Sequence, residues 1–185
     1  MRIYTRTGDD GTTGLLYGGR VSKSDTRTAT VGNTDEAVAA LGLARSLHPV
    51  GAGLADLLLD LQRQLFVVGA ELATAPANAR KLKPGLSKVT EAMVTDLEAT
   101  IDRLIAESPL PDYFVIPGAT PVAAALDLAR AVVRRAERSA VGLSEAGVVA
   151  DDVVLRYLNR LSDLLFVAAR YEEQAAGVQA TPSHD

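Results

Sequence analysis

The sequence predicts an all-α fold, an up-and-down bundle of about five helices preceded by a loop rich in glycine and threonine. Three observations carry that expectation. Hydrophobic residues make up 48% of the chain, dominated by Ala, Leu and Val, while aromatics are only 4% and Trp is absent, a profile of helices packed on helices through small side chains. Apolar residues recur at helical spacing in segments between residues 33 and 175. Residues 1–32, by contrast, have little helical periodicity and much turn chemistry. A length of 185 residues suits one domain, 1–185, in which the polar stretch 176–185 is expected to be a flexible tail.

The first element is the loop Thr5-Arg6-Thr7-Gly8-Asp9-Asp10-Gly11-Thr12-Thr13-Gly14, continued by Gly18-Gly19-Arg20 and Lys23. Three glycines at steps of three, interleaved with Thr and Asp, let the backbone turn back and aim N–H groups and hydroxyls at one point. That is phosphate-cradle chemistry, although the Gly-Lys-Ser/Thr ending of a Walker loop is missing. The competing expectation is a plain Gly/Thr-rich terminus.

Asn33 or Thr34 is predicted to cap the first helix, running to about Leu47, with Asp35 and Glu36 in its first turn facing the helix dipole. Asp35 there can meet an arginine. A second helix, Leu54 to Thr74, repeats Leu at 54, 57, 58, 61 and 65, then Val68 and Leu72, and a third, capped by Ser87, carries Val89, Met93, Leu97, Ile101, Leu104 and Ile105. Prolines 109, 111 and 117 force an extended link holding Tyr113, Phe114, Val115 and Ile116. Thr120 as N-cap and Pro121 at the first helical position start the fourth helix, which breaks at Gly142 to Ala150. Asp151 or Asp152 caps the last helix, whose Leu158, Leu161, Leu165 and Ala169 form an apolar side. Asn159, Ser162, Asp163, Phe166 and Arg170 share a second stripe, expected to be a polar seam facing another helix or subunit.

The fourth helix holds four arginines within nine residues, Arg130 to Arg138. At about 100° per residue Arg130, Arg134, Glu137 and Arg138 share one face, opposite Ala129, Val132, Val133, Ala136 and Ala140, while Arg135 points elsewhere. Two readings stand: a solvated basic face, or an anion site in which guanidinium groups one turn apart suit a polyphosphate. A net charge of −4 argues against a general nucleic-acid binder and makes this cluster a local exception. Without Cys there is no thiolate nucleophile or disulfide. His48, before Pro49 in an expected loop, and His184, next to last, are poor catalytic bases. No leader-like or membrane-length apolar run is present, which points to a cytoplasmic protein.

Taken in order, Thr5 to Thr13, Gly19-Arg-Val-Ser-Lys-Ser-Asp25, Gly32-Asn-Thr-Asp-Glu36, Phe114-Val-Ile-Pro-Gly118, the arginine helix and Arg156-Tyr-Leu-Asn-Arg-Leu-Ser-Asp163 resemble the PduO-type ATP:corrinoid adenosyltransferases. The resemblance spans nearly the whole chain. It implies a ferritin-like bundle that transfers the 5′-deoxyadenosyl group of ATP to reduced cobalamin, releasing triphosphate. Thr5, Arg6, Thr7, Gly8, Asp9, Asp10, Gly11, Thr12, Thr13 and Lys23 would then wrap ATP, Arg134 and Arg138 would complete the triphosphate site, and Glu137 with Asn159 would orient the nucleotide and its Mg²⁺. Asp35 and Arg130 would bridge neighbouring subunits of a homotrimer. Phe114 would fill the lower face of the corrinoid. A flavoprotein reductase and an adenosylcobalamin-dependent acceptor enzyme are the implied protein partners, with no role for nucleic acid or membrane.

Three positions depart from the family pattern: Arg6 where Lys is frequent, Ala119 where a second Gly is usual, and Asp127 where His is common. A nucleotide-binding regulatory bundle without chemistry is the alternative, and a purely structural bundle a third. An aromatic at position 114 beside the arginine helix favours the enzyme, since a nucleotide sensor has no use for it.

Overall fold

Asp25 opens the first helix. The computed structural model describes residues 4–48, 53–149 and 151–184, and in it α1 spans Thr26–Ser46, with the Asp25 carboxylate accepting from the Arg27 N–H at 2.8 Å. This corrects the predicted start at Asn33 or Thr34, and moves the end of the N-terminal loop from residue 32 to Asp25. Threonines and Gly32 blur the apolar period here, yet the hydroxyls of Thr30 and Thr34 find acceptors on their own helix, the carbonyls of Thr26 and Val31. Asp35 and Glu36 are consequently mid-helix residues, away from the dipole's positive end.

The loop before α1 contains a small hairpin, β1 (Thr12–Gly14) against β2 (Arg20–Ser22), antiparallel in the register Thr12–Ser22, Thr13–Val21, Gly14–Arg20. After α1, α2 (Ala55–Leu72) buries Leu58, Leu61, Leu65, Val68 and Leu72 as its periodicity predicts. A 3₁₀ turn at Pro76–Lys81 follows. Thr90, not Ser87, caps α3 (Glu91–Glu107), because Ser87 Oγ is already occupied as acceptor of the Lys83 N–H at 2.9 Å.

The proline link contains β3 (Val115–Ile116), which pairs antiparallel with β4 (Thr181–Pro182). The Ser183 N–H donates to the Phe114 carbonyl at 2.7 Å and the Tyr113 hydroxyl to the Ala180 carbonyl at 3.1 Å. Residues 178–183 are therefore a paired segment over the link, not the free tail expected from composition. Thr120 caps α4 (Pro121–Glu145) as predicted, accepting from the Ala123 N–H. The helix runs through Gly142 and is closed at Gly147, whose φ of +69° suits glycine. Asp151 accepts from the Val153 N–H at the start of α5 (Val153–Ala175).

Helix α1 packs between α2 and α4, α4 also packs on α5, and α5 on α3. Tyr157 of α5, fully buried, reaches Gln64 of α2 with its hydroxyl at 3.0 Å. The predicted apolar side of α5 lies in the core, with Leu158, Leu161, Leu165 and Ala169 all inaccessible. No helix among the described residues is long and apolar enough to cross a membrane. Pro49, part of the expected His48 loop, lies outside the described residues; the His48 ring is buried beside Glu172.

Candidate functional site

Helix α4 divides its arginines as the heptad of buried small residues dictates. Ala129, Val132, Val133, Ala136 and Ala140 face the core, which turns Arg134 and Arg138 out to solvent and leaves Arg130 half-buried. Arg135 pairs with Glu36 of α1. Among the described residues Arg134 and Arg138 take no ion-pair or hydrogen-bond partner, whereas Arg135, Arg156, Arg160 and Arg170 are all paired with carboxylates. Glu137, between the two free guanidinium groups, accepts from Asn159 Nδ2 at 3.0 Å, and Asn159 Oδ1 in turn accepts from Arg160. Arg134, Glu137, Arg138 and Asn159 thus form one patch across α4 and α5. A groove of about 370 Å³ beside Arg138 is lined by Thr26, Thr30 and Ser139.

The loop is internally bonded. Lys23 N–H donates to the Gly11 carbonyl at 2.9 Å, and a Cβ on Gly8 would lie 3.2 Å from Lys23 Nζ, so the ammonium sits against the Gly8 backbone. Gly11 holds φ +82° and Arg6 φ +61°. Asp10 accepts from both the backbone and the hydroxyl of Thr12, which holds its carboxyl below the ordinary range, with a smaller contribution from Arg20. Arg20 Nε donates to Thr12 Oγ1 at 2.9 Å, and its Nη2 reaches the Thr7 carbonyl. Arg20, named in the sequence at the end of the Gly18-Gly19 turn but not among the expected ATP ligands, thus organises the loop from within. Among the described residues no hydrogen bond or ion pair joins residues 5–13 or Lys23 to Arg134, Glu137 or Arg138 of the same chain.

Phe114 is 85% exposed at the start of the β3 strap, held only through its backbone. Asp35 makes no ion pair with Arg130 within the chain. It lies on the rim of an apolar groove of about 510 Å³ between α1 and α2, walled by Val31, Val38, Leu65 and Phe66. Phe66, 66% exposed, lies off the Leu58–Leu61–Leu65 stripe of α2 and faces outward. Arg130 instead stacks over the Phe166 ring at 5.6 Å, and Arg170 over the same ring at 5.1 Å. Arg170 is buried, donating to Asp127 at 2.7 Å and to both oxygens of Glu173. Burial opposes its charge, but these bonds outweigh that cost and keep the guanidinium charged. Of the predicted polar stripe of α5, Asn159 and Arg170 bond to Glu137 and Asp127 of α4, whereas Ser162 bonds back to the Asn159 carbonyl and the exposed Asp163 lies beside Arg160 of its own helix.

Among the described residues no three carboxylate or imidazole groups gather as a self-sufficient metal site. Glu137 is a single carboxylate beside two cations, an arrangement suited to sharing an ion with an anionic ligand.

Residues 3–172 match the family model described as cobalamin adenosyltransferase. Corrinoid adenosyltransferase from Mycobacterium tuberculosis is 42% identical over 185 residues, covering 100% of this chain and 95% of that protein. That of Bacillus subtilis is 40% identical over 181 residues, covering 96% and 90%. A solved variant of the PduO-type ATP:corrinoid adenosyltransferase from Lactobacillus reuteri, complexed with cobalamin and ATP, superposes with a TM-score of 0.89 at 32% identity, each chain covered over its full length. With the helical order, the arginine patch and the glycine loop all in place, the chain belongs to the cobalamin adenosyltransferase family.

Proposed function

We propose that the chain transfers the 5′-deoxyadenosyl group of ATP to the cobalt of cob(I)alamin, giving adenosylcobalamin and triphosphate. Family membership supports the reaction class and both substrates. The observation on this chain that carries the reading is the pair of guanidinium groups, Arg134 and Arg138, that flank Glu137 and have no ion-pair or hydrogen-bond partner among the described residues.

The reaction explains the missing nucleophile. Cobalt(I), held by the substrate, attacks C5′, the C5′–O bond breaks, and its electron pair leaves on the triphosphate oxygen, so the protein needs no Cys or His to attack. What it must supply is stabilisation of a leaving group gaining charge. Arg134, Arg138 and Lys23, with the hydroxyls and N–H groups of Thr5, Arg6, Thr7, Gly8, Asp9, Asp10, Gly11, Thr12 and Thr13, are assigned that task. Asn159 orients Glu137. Glu137 fits Mg²⁺, which usually takes one or two carboxylates plus phosphate oxygens and would supply further charge neutralisation when bound with ATP. Phe114 offers an exposed apolar face that excludes an axial base or water from the cobalt, which makes reduction of cobalt(II) easier.

Among the described residues no bond joins the loop to the arginine patch, which supports a site completed between subunits of a homotrimer, with Asp35 of one subunit meeting Arg130 of the next. The class of partner that supplies cobalt(I) is a reduced flavoprotein. The product suits an adenosylcobalamin-dependent enzyme, and both steps belong in the cytoplasm. Anaerobic mixing of the purified protein with ATP, Mg²⁺ and chemically reduced cobalamin tests the function by absorbance. Conversion to the adenosylcobalamin spectrum supports it; bound ATP with no spectral change leaves only a nucleotide-binding regulator.

A further inference from the structure

We propose that Tyr17 is a positioning residue for the triphosphate loop, acting through a hydrogen bond from the tip of the β1–β2 hairpin to Ser87 in the connection between α2 and α3. The proposal rests on the assignment of residues 5–13 to ATP.

The hairpin leaves the bundle, so something must fix its orientation. Four contacts converge on its turn. Leu16 N–H donates to the Ala73 carbonyl at 3.0 Å, Lys81 Nζ reaches the Tyr17 carbonyl at 3.3 Å, Asn78 Nδ2 the Gly18 carbonyl at 3.4 Å, and the Tyr17 hydroxyl lies 3.0 Å from Ser87 Oγ. Ser87 is the buried one of these partners, 4% exposed, and its Oγ also accepts from the Lys83 N–H, so its position is set by the connection rather than by the hairpin. Tyr17 holds φ +63°, a conformation that costs an aromatic residue energy and persists where surrounding contacts enforce it. Gly18 and Gly19, which follow it, also hold positive φ, +103° and +95°, at no steric cost, whereas the tyrosine takes such an angle while its hydroxyl reaches Ser87.

The consequence passes down both strands. β1 leads from the turn to Thr13 and Thr12, and β2 leads to Arg20, which ties Thr12 and Thr7 together, and on toward Lys23, whose N–H holds Gly11. A turn that swings away from Ser87 therefore tilts the whole phosphate loop, while leaving α4 and Phe114 untouched.

The test uses Tyr17→Phe, Ser87→Ala and the double variant of the full chain, with calorimetric ATP binding, KM for ATP, KM for cobalamin and thermal midpoint. Each single variant is expected to weaken ATP binding about two- to tenfold, as loss of one hydrogen bond allows. KM for cobalamin should stay near wild type in both variants and the midpoint near wild type in Tyr17→Phe, while Ser87→Ala, which also strips the Lys83 N–H of its acceptor, lowers the midpoint. The double variant should be no weaker than the worse single, since both remove one contact. Unchanged ATP affinity in both single variants overturns the proposal. So does additive loss in the double variant, or an equal loss for ATP and cobalamin. If wild type binds ATP but forms no adenosylcobalamin, the function fails while calorimetry still decides the role of Tyr17.

Discussion

In the proposed mechanism Arg134 is the residue on which the leaving-group chemistry depends most. Removal of one preorganised donor to developing charge typically costs 10²–10³ in rate. Arg134→Ala should lower kcat by about that factor under reducing conditions with ATP and Mg²⁺, and turnover within a fewfold of wild type would remove Arg134 from the triphosphate site. Phe114 makes a different prediction, because the role proposed for it concerns reduction. Phe114→Ala should harm turnover from cobalt(II) with a reductant more than turnover from preformed cobalt(I); equal losses in paired assays would rule out the axial-face role. At this scale the sequence was informative where chemistry follows from residue type, as with the unpaired arginines. It was silent where two residues far apart share a ring: that Phe166 lies between Arg130 and Arg170 depends on how α4 seats against α5.

Helices show where local signals prevail and where they mislead. Thr120 and Pro121 start α4 as their types demand, and Thr120→Ala should cost about 1 kcal/mol, seen as a thermal midpoint lowered by about 2–4 °C. The start of α1 was hidden because Thr26 to Gly32 carry low helical propensity, and only Asp25 as a cap, with threonine hydroxyls bonded back along the helix, reveals it. β4 was illegible for another reason: its pairing partner lies far away in the chain, and composition alone reads as a free tail. Glu71, buried between α2 and the start of α3, offers a test by pH. Desolvation raises its carboxyl above the ordinary value, although the Val89 N–H partly offsets this. The folded state then holds its proton to higher pH than the unfolded chain. Its contribution to stability is greatest below the ordinary carboxylate pKa and falls as pH rises through the raised one. Glu71→Gln should accordingly raise the thermal midpoint at pH 7 relative to wild type and give no such gain at pH 4; the same gain at both would refute the assignment to ionisation.

At the scale of the whole molecule, no hydrogen bond or ion pair among the described residues joins residues 5–13 or Lys23 to the arginine patch, and Asp35 makes no ion pair with Arg130 on the same chain. Assembly is the step proposed to bring them together, with Asp35 paired to Arg130 across subunits. Asp35→Asn should then loosen the trimer or slow turnover, and sedimentation together with rate unchanged from wild type would contradict that pairing. The bundle was legible from apolar periodicity because helix-on-helix burial is a local pattern; the proposed inter-subunit site comes only from the family resemblance, since no pattern within one chain encodes which of its faces meet a second copy. Cobalt attack at C5′ cleaves the ATP at one bond only and leaves the three phosphates joined. Phosphorus NMR of a completed turnover, with adenosylcobalamin measured alongside, tests that chemistry most directly. Intact triphosphate equal in amount to adenosylcobalamin is the predicted result, and ADP with phosphate, or no phosphorus product at all, is the result that would contradict it.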